Sequence, residues 1–347
     1  MIRQAGLALV LVLWVLSLLT IMAGSFALSM RREASITAGI KNNAQAMAVA
    51  ESGIAMAEMM LLNPDPNKRW RTDGSIYEII AGDAKVRVRL LSETGKIDIN
   101  KADQALLQGL MTYVPGDAEQ KLKLVDAILD WRDADDLAHI NGAEKKEYKD
   151  AGLSYQPRNK PFQTIEELQL VLGMSGAVFL RIESLITVYS GQSTVSLQQA
   201  SKEVLQIIPG LDASLLDSYM VARLESATNN QSAAVFASSS GQLGAAVPGQ
   251  GTAPGQLGAA VLGQSAASGQ NNVLTLVSEA LLNDESSALI NAVIKKTDPV
   301  AAQNSTSLHT PFQVLKWQQV TTNDRSLFAD AMSEFLVKQY AEPEFNN

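Results

Sequence analysis

The segment that most limits the fold is MIRQAGLALVLVLWVLSLLTIMAG, at the start of the chain. From Leu7 to Met30 there is no charged side chain, 24 residues in all. As a helix this run is roughly 36 Å long, enough to cross a hydrocarbon core of about 30 Å. The helical spacing does not stop at the first charge. Residues 31–63 carry no proline, and Ile36, Ile40, Ala44, Met47, Ala50, Ile54, Ala57 and Leu61 recur at steps of three and four. Pro64 then ends the pattern. One helix of about 55 residues is expected, wholly apolar in its inner half and amphipathic in its outer half.

Three readings compete for this start. In a cleaved secretory signal, Arg3 would be the basic region and Ser25-Phe26-Ala27 the small-x-small cleavage site. The apolar run, however, exceeds the ~7–15 residues usual for such signals. In a plain signal anchor, Arg3 and the amino terminus would stay in the cytoplasm, although Arg31 and Arg32 pull the other way. In a prepilin-type leader, the basic peptide 1–6 would be cut after Gly6 and the apolar helix kept. The helical continuity beyond Met30 favours the third reading. A secretory signal gives no reason for it, whereas a stalk whose outer half lies on a β-sheet requires it.

The chain of 347 residues is long enough for one large or two to three small domains. A net charge of −8 argues against broad nucleic-acid binding, which needs a basic face. With no cysteine, neither a disulfide framework nor a thiolate metal site is available. The two histidines, His139 and His309, are far apart, and no nucleophile elbow, P-loop or HExxH pattern occurs. No catalytic residues are expected, and the chain reads as a non-enzyme.

Beyond the Asn63–Asn67 break, Tyr77–Ile80 and Lys85–Ser92 form a predicted hairpin about the Ala81-Gly82-Asp83 turn. Residues 98–225 then turn helical. The pattern turns helical within GKIDINKADQALLQGL (95–110), and helices are expected over 118–131, over 164–172 behind a Thr164-x-x-Glu167 capping box, over 179–188, and in 194–223. DINKADQALLQGL with Pro115-Gly116 echoes VSLQQASKEVLQI with Pro209-Gly210, a weak internal repeat of helical hairpins. Residues 226–272 are uncharged up to Ser278 and contain GQLGAAV twice, which predicts a flexible insertion. Strand patterns return at 273–277, 288–295 and 312–320, and Leu327, Phe328, Met332, Phe335, Leu336 and Tyr340 suggest a C-terminal helix within 321–347. The expected fold is α+β. A long helix (transmembrane over 7–30) packs on an antiparallel sheet built from residues 31–97 and 273–320, interrupted by the helical block.

Four stretches carry a family resemblance: RQAGLALVLVLWVLSLL; GKIDINKA; the run DWRDADD, GAEKKEY, Tyr155-x-Pro157-Arg158-Asn159-x-Pro161 and IEELQLVLGM; and FQVLKWQQ. Together they resemble the general secretion pathway protein K family, minor pseudopilins of the type II secretion system. Residues 226–272 and the tail after Val320 lie outside the resemblance. The resemblance implies a pilin-like domain interrupted by a large helical one. It also implies prepilin-peptidase cleavage after Gly6, N-methylation of Leu7, an inner-membrane anchor and a periplasmic head. Implied partners are minor pseudopilins I and J, with H and the major pseudopilin beside them, at the tip of a short pseudopilus.

Ordinary pilins carry glutamate at the fifth mature position, where it pairs with a neighbour's amine in lipid or fibre core and so fixes register. Here that position is Leu11. The chain can offer its own amine to another subunit but has no acid for a subunit ahead of it, which suits the first member of a fibre. A bulky helical block on the head points the same way.

Asp130, Asp133, Asp135 and Asp136 fall within seven residues, and Glu144 and Glu147 follow. Counted from Asp133, Asp135 is third and Glu144 twelfth, as in an EF-hand, but Leu137 and Ala138 stand where an oxygen ligand and glycine belong. A calcium site built from Asp133, Asp135, Asp136, Glu144 and Glu147 is expected, since calcium takes six to eight oxygens and the resemblance implies bound calcium in the helical domain. A solvated acidic loop with Trp131 packed beneath is the alternative. The rival function is a membrane-anchored helix-hairpin-helix nucleic-acid binder, suggested by LQIIPGLDASLLDSYMVAR. Its hairpin Pro209–Asp212 lacks a second glycine and sets an acid where phosphate would sit.

Overall fold

The computed structural model describes residues 5–231, 233, 234, 272–297, 310–320 and 326–341. Helix α1 (Ala5–Leu61) is a single element of 57 residues, long and apolar enough to cross a membrane. Residues 9–41 bury nothing. The buried stripe begins at Ala46 and continues through Ala50, Gly53, Ile54, Ala57, Met60 and Leu61. The periodicity expected from Ile36 is therefore satisfied only in part. Ile36, Ile40 and Ala44 are exposed because they lie beyond the sheet that the later turns cover.

The sheet has six strands: β1 (Asp73–Ala81), β2 (Ala84–Ser92), β5 (Val273–Leu281), β6 (Ser287–Lys296), β7 (Phe312–Val320) and β8 (Leu336–Ala341). Their order is β7-β6-β5-β2-β1-β8, antiparallel throughout except for the β1–β8 pair. β1 and β2 form a hairpin closed by Gly82-Asp83, with Gly82 in the left-handed region at φ 58°. Alternation sends Val86, Val88 and Leu90 toward α1, together with Leu276, Ala280, Ile290 and Ala292. β2 and β5 are hydrogen-bonded neighbours in register Val88↔Ser278, although the helical block separates them in sequence. This is an α+β, pilin-like fold with an inserted helical domain.

The insertion leaves β2 through a 3-10 turn at Glu93–Gly95 and the short strand β3 (Ile97–Asp98). It contains α2 (Gln104–Met111), α3 (Ala118–Arg132), α4 (Lys145–Asp150), α5 (Gly176–Ile182), β4 (Ile186–Thr187), α6 (Lys202–Leu205) and α7 (Ala213–Thr228). Its core is separate and includes Leu107, Ile128, Trp131, Tyr148, Leu168 and Ile182. Asp103, Asp117, Ser175, Ser201 and Asp212 cap the helices they precede. The internal echo has a structural counterpart. Gly116 (φ 136°) and Gly210 (φ 82°) each turn the chain shortly before a capping aspartate.

Four sequence expectations need correction. The 164–172 segment is a 3-10 turn, Ile165–Leu170, and Thr164 makes no side-chain cap. Glu167, the expected box partner, instead accepts from Arg158 at 2.9 Å, Gln163 N at 2.8 Å and Trp131 Nε1 at 3.3 Å. The helix expected over 179–188 ends at Ile182, because Ile186–Thr187 pairs in parallel with Ile97–Asp98. Residues 226–228 belong to α7 rather than to the uncharged insertion, and 235–271 lie outside the described residues. The C-terminal helix is replaced by a 3-10 turn, Asp330–Phe335, followed by β8 on the free edge of β1. Tertiary context overrides local propensity here: the β1 edge offers unpaired backbone groups, and Leu327 and Phe335 cover Ile76 on the outer face.

Candidate metal centre

The centre is assembled on the inner face of α3. Asp126 and Asp130 are one turn apart and buried, and Asp133 forms the C-cap. Asp130 is fully buried. It accepts from His139 N at 3.1 Å and Ala143 N at 2.7 Å, and it makes a short contact with His139 Nδ1. Asp126 accepts from Asn141 N at 3.1 Å and Asn141 Nδ2 at 3.2 Å. The loop between α3 and α4 is thus tied down by carboxylates lying beneath it. Gly142 permits the approach, since a Cβ there would sit 1.8 Å from Asp130 Oδ2. Trp131 lies below the loop as expected, stacked on Phe162 at 6.1 Å between centroids.

Ligand atoms of Asp130, Asp133 and His139 lie within 4.8 Å of one another. Three buried side-chain oxygens in this region have no hydrogen-bond partner: Asp133 Oδ1, Glu144 Oε1 and Asn159 Oδ1. The Asn159 oxygen can only accept, and so can the two carboxylates when ionised. Burial, then Asp130, Asp133, Asp136 and Asp135, push the Glu144 carboxyl up to about 7. Burial, then Asp135 and Asp130, raise Asp133. The hydrogen bond to Asp130 raises His139 despite opposing burial. Unsatisfied buried acceptors beside crowded carboxylates lack a positive charge. An oxygen-rich donor set of this kind fits a hard cation such as calcium.

The residues expected to form the site are only partly gathered. Asp133 and Glu144 offer free oxygens. Asp135 and Asp136 are exposed and border the cluster: Asn159 Nδ2 donates to Asp135 O at 2.6 Å and to Asp136 Oδ1 at 2.8 Å. Glu147 is occupied elsewhere, its Oε2 accepting from Glu144 N at 3.0 Å in a capping box, and backbone hydrogen bonds hold its carboxyl below the ordinary range. Asn159 was not anticipated as a donor. It adopts φ 49°, a left-handed conformation that asparagine tolerates, and it sits in the Tyr155–Pro161 run that sequence alone had marked. Asp130 belongs to the acidic cluster seen in the sequence but not to the expected ligand set, and His139 to neither. At the other hairpin, Asp212 accepts from Ser214 N at 2.7 Å, so a backbone amide that a phosphate would need is already taken. Gly6, Leu7 and Leu11 lie in α1, with Leu11 exposed.

Comparison with known proteins finds relatives whose matched residues include this site. The model described as "Type II secretion system (T2SS), protein K" matches residues 84–191, which include the whole α3–α4 loop. The chain is 25% identical over 260 residues to type II secretion system protein K of Klebsiella pneumoniae, covering 68% of this chain and 79% of that protein. Against the Aeromonas hydrophila protein of the same description it is 27% identical over 206 residues, covering 52% and 62%. A solved GspK-GspI-GspJ complex from enterotoxigenic Escherichia coli contains a chain with 16% identity and a TM-score of 0.45, covering 84% of this chain and 99% of that one. Over these spans the chain is similar to type II secretion system protein K.

Proposed function

We propose that this chain is the leading subunit of a periplasmic pseudopilus, anchored in the inner membrane and assembling with minor pseudopilins I and J in export of folded proteins. Leu11 carries the reading. A fibre-body subunit needs an acid at that depth to meet its neighbour's terminal amine, and this chain offers an apolar side chain instead. Cleavage after Gly6 by prepilin peptidase would make Leu7 the methylated terminus, leaving an amine for the following subunit's acid. The insertion between β2 and β5 adds a second core to the head, bulk that a terminal position accommodates without a subunit stacked above it. Pseudopilin H and the major pseudopilin complete the expected set, and the role is structural rather than catalytic.

Calcium is proposed at Asp133, Glu144 and Asn159, with Asp135 and Asp136 bordering. Its chemical contribution is charge: it would satisfy the three orphaned oxygens and fasten the α3–α4 loop to the Asn159 turn. Co-purification tests the assembly reading. The head should be retained by the heads of I and J together, and a head that stays monomeric with every minor pseudopilin would contradict it. Calorimetric titration tests the metal reading. Asp133→Ala should abolish a calcium heat present in the wild type.

A further inference from the structure

Two strips of exposed apolar surface border one groove between α1 and β7. On α1, Ile36, Ile40 and Met47 follow at steps of four and seven and form a single stripe of the helix. Ile36 and Ile40 are 64% and 67% exposed, and Met47 is half-buried. Gln319 Nε2 of β7 reaches Met47 Sδ at 3.4 Å, so this stripe looks out over β7. On β7 itself, Gln319, Trp317 and Val314 pair with Ile290, Ala292 and Ile294 of β6. Those three β6 residues belong to the core beneath α1, and residues opposite one another in a ladder share a face. Trp317 and Val314 therefore lie on the helix-bearing face of the sheet, yet they are 43% and 51% exposed. Among the described residues nothing completes their cover.

The groove has the dimensions of a helix. α1 lies over β2, β5 and β6, of which β5 is the middle strand. β7 is two strands beyond β5, about 9.6 Å away at roughly 4.8 Å per strand. Helices pack side by side at about 8–10 Å, so a second helix laid against α1 would sit over β7. Ile36 to Met47 spans about 16 Å of helix and Val314 to Gln319 about 16 Å of strand, and a helix of about 22 residues would cover both. The groove also carries a charge. Glu51, one turn beyond Met47 on the same flank, is exposed and in no ion pair among the described residues. We infer that the groove receives the long helix of a neighbouring minor pseudopilin. The apolar stripe of that helix covers Ile36, Ile40, Val314 and Trp317, and a lysine or arginine on it meets Glu51. The inference rests on the assembly reading above and names the face of this chain that the assembly uses.

The test uses the full chain in its membrane, co-expressed with minor pseudopilins I and J. Photoreactive benzoylphenylalanine in place of Trp317 or of Ile40 should form adducts with I or J, and mass spectrometry should map them to the partner's long helix. Trp317→Ser and Ile40→Ser, at positions whose exposure leaves folding intact, should each weaken retention of I and J about tenfold. Val221→Ser, at a comparably exposed position on α7, should leave retention unchanged. Adducts confined to a partner's head, to a second copy of this chain or to this chain's own residues would overturn the groove inference alone, as would retention that survives the double substitution. A wild-type chain that retains neither I nor J would overturn the assembly reading and the inference with it.

Discussion

Ser278 Oγ, in the second half of the sheet, donates a 2.8 Å hydrogen bond to the carbonyl of Ala50 in the long helix. The contact is possible because the next inward position on α1 is Gly53. A Cβ at Gly53 would lie 2.3 Å from Ser278 Oγ and 2.7 Å from Val86 Cγ1. Gly53→Ala should therefore destabilise the head by about 1–3 kcal/mol, as overpacking does, despite alanine's better helix propensity. Thermal unfolding checks this, and pairing it with Ser278→Ala should recover part of the loss.

The two domains share a buried polar junction. Glu93, next to β2, accepts from Lys96 Nζ at 2.7 Å, and its carboxylate also contacts Thr275 of β5 and Thr187 of β4. Lys96→Met would leave Glu93 buried and uncompensated, at a cost of about 3–5 kcal/mol. Denaturant melts should show that loss, and Glu93→Gln in the Lys96→Met background should restore most of it. Equal stability of wild type and Lys96→Met would contradict the account.

Glu203 on α6 reaches across the same boundary to Arg89 of β2, at 3.1 Å. Burial raises its carboxyl, but Arg89, Ser201 and its own backbone amide outweigh burial and hold it below the ordinary value of 4.5. A depressed carboxyl contributes stability that is complete above the unfolded value and lost as pH falls through the folded one. Acidification through and below pH 4.5 should weaken the wild-type head more steeply than Glu203→Gln, which urea midpoints across that range would reveal.

Metal removal should be visible without any partner. If calcium binds the folded head alone, saturation at a hundred times its dissociation constant adds about 2.7 kcal/mol, and chelation should lower the melting temperature accordingly. Asn159→Ala should blunt the calcium-induced rise, whereas Glu147→Gln, which keeps an acceptor oxygen for its capping box, should leave it intact.

Much of this was legible in the sequence because it rests on periodicity. The long helix, the 81–84 turn, the alternation of β2 and the three returning strands follow from local pattern alone. What escaped depends on contacts distant in sequence. Nothing near Ile186 says that Ile97 will pair with it, and nothing in 326–341 discloses the vacant edge of β1. The carboxylate cluster shows the same division. Asp133 and Glu144 were readable from spacing, but Asn159 enters through a turn packed against Asp135 and Asp136, and Glu147 was diverted by the helix it caps.

The placement of the helical block has a kinetic meaning. β2 and β5 must pair to complete the sheet, yet the chain between them is itself a folding unit with its own core. Closing so long a loop in an unfolded chain costs entropy before any strand contact repays it. The short β3–β4 pair, Ile97 with Ile186, joins distant parts of the block close to where it leaves the sheet. Once the block has folded, the gap to be closed shrinks from a free polymer to the span between two anchored points. The head should therefore assemble from the inside outward, with the inserted domain ordering first and the pilin sheet, begun earliest in the sequence, finishing last.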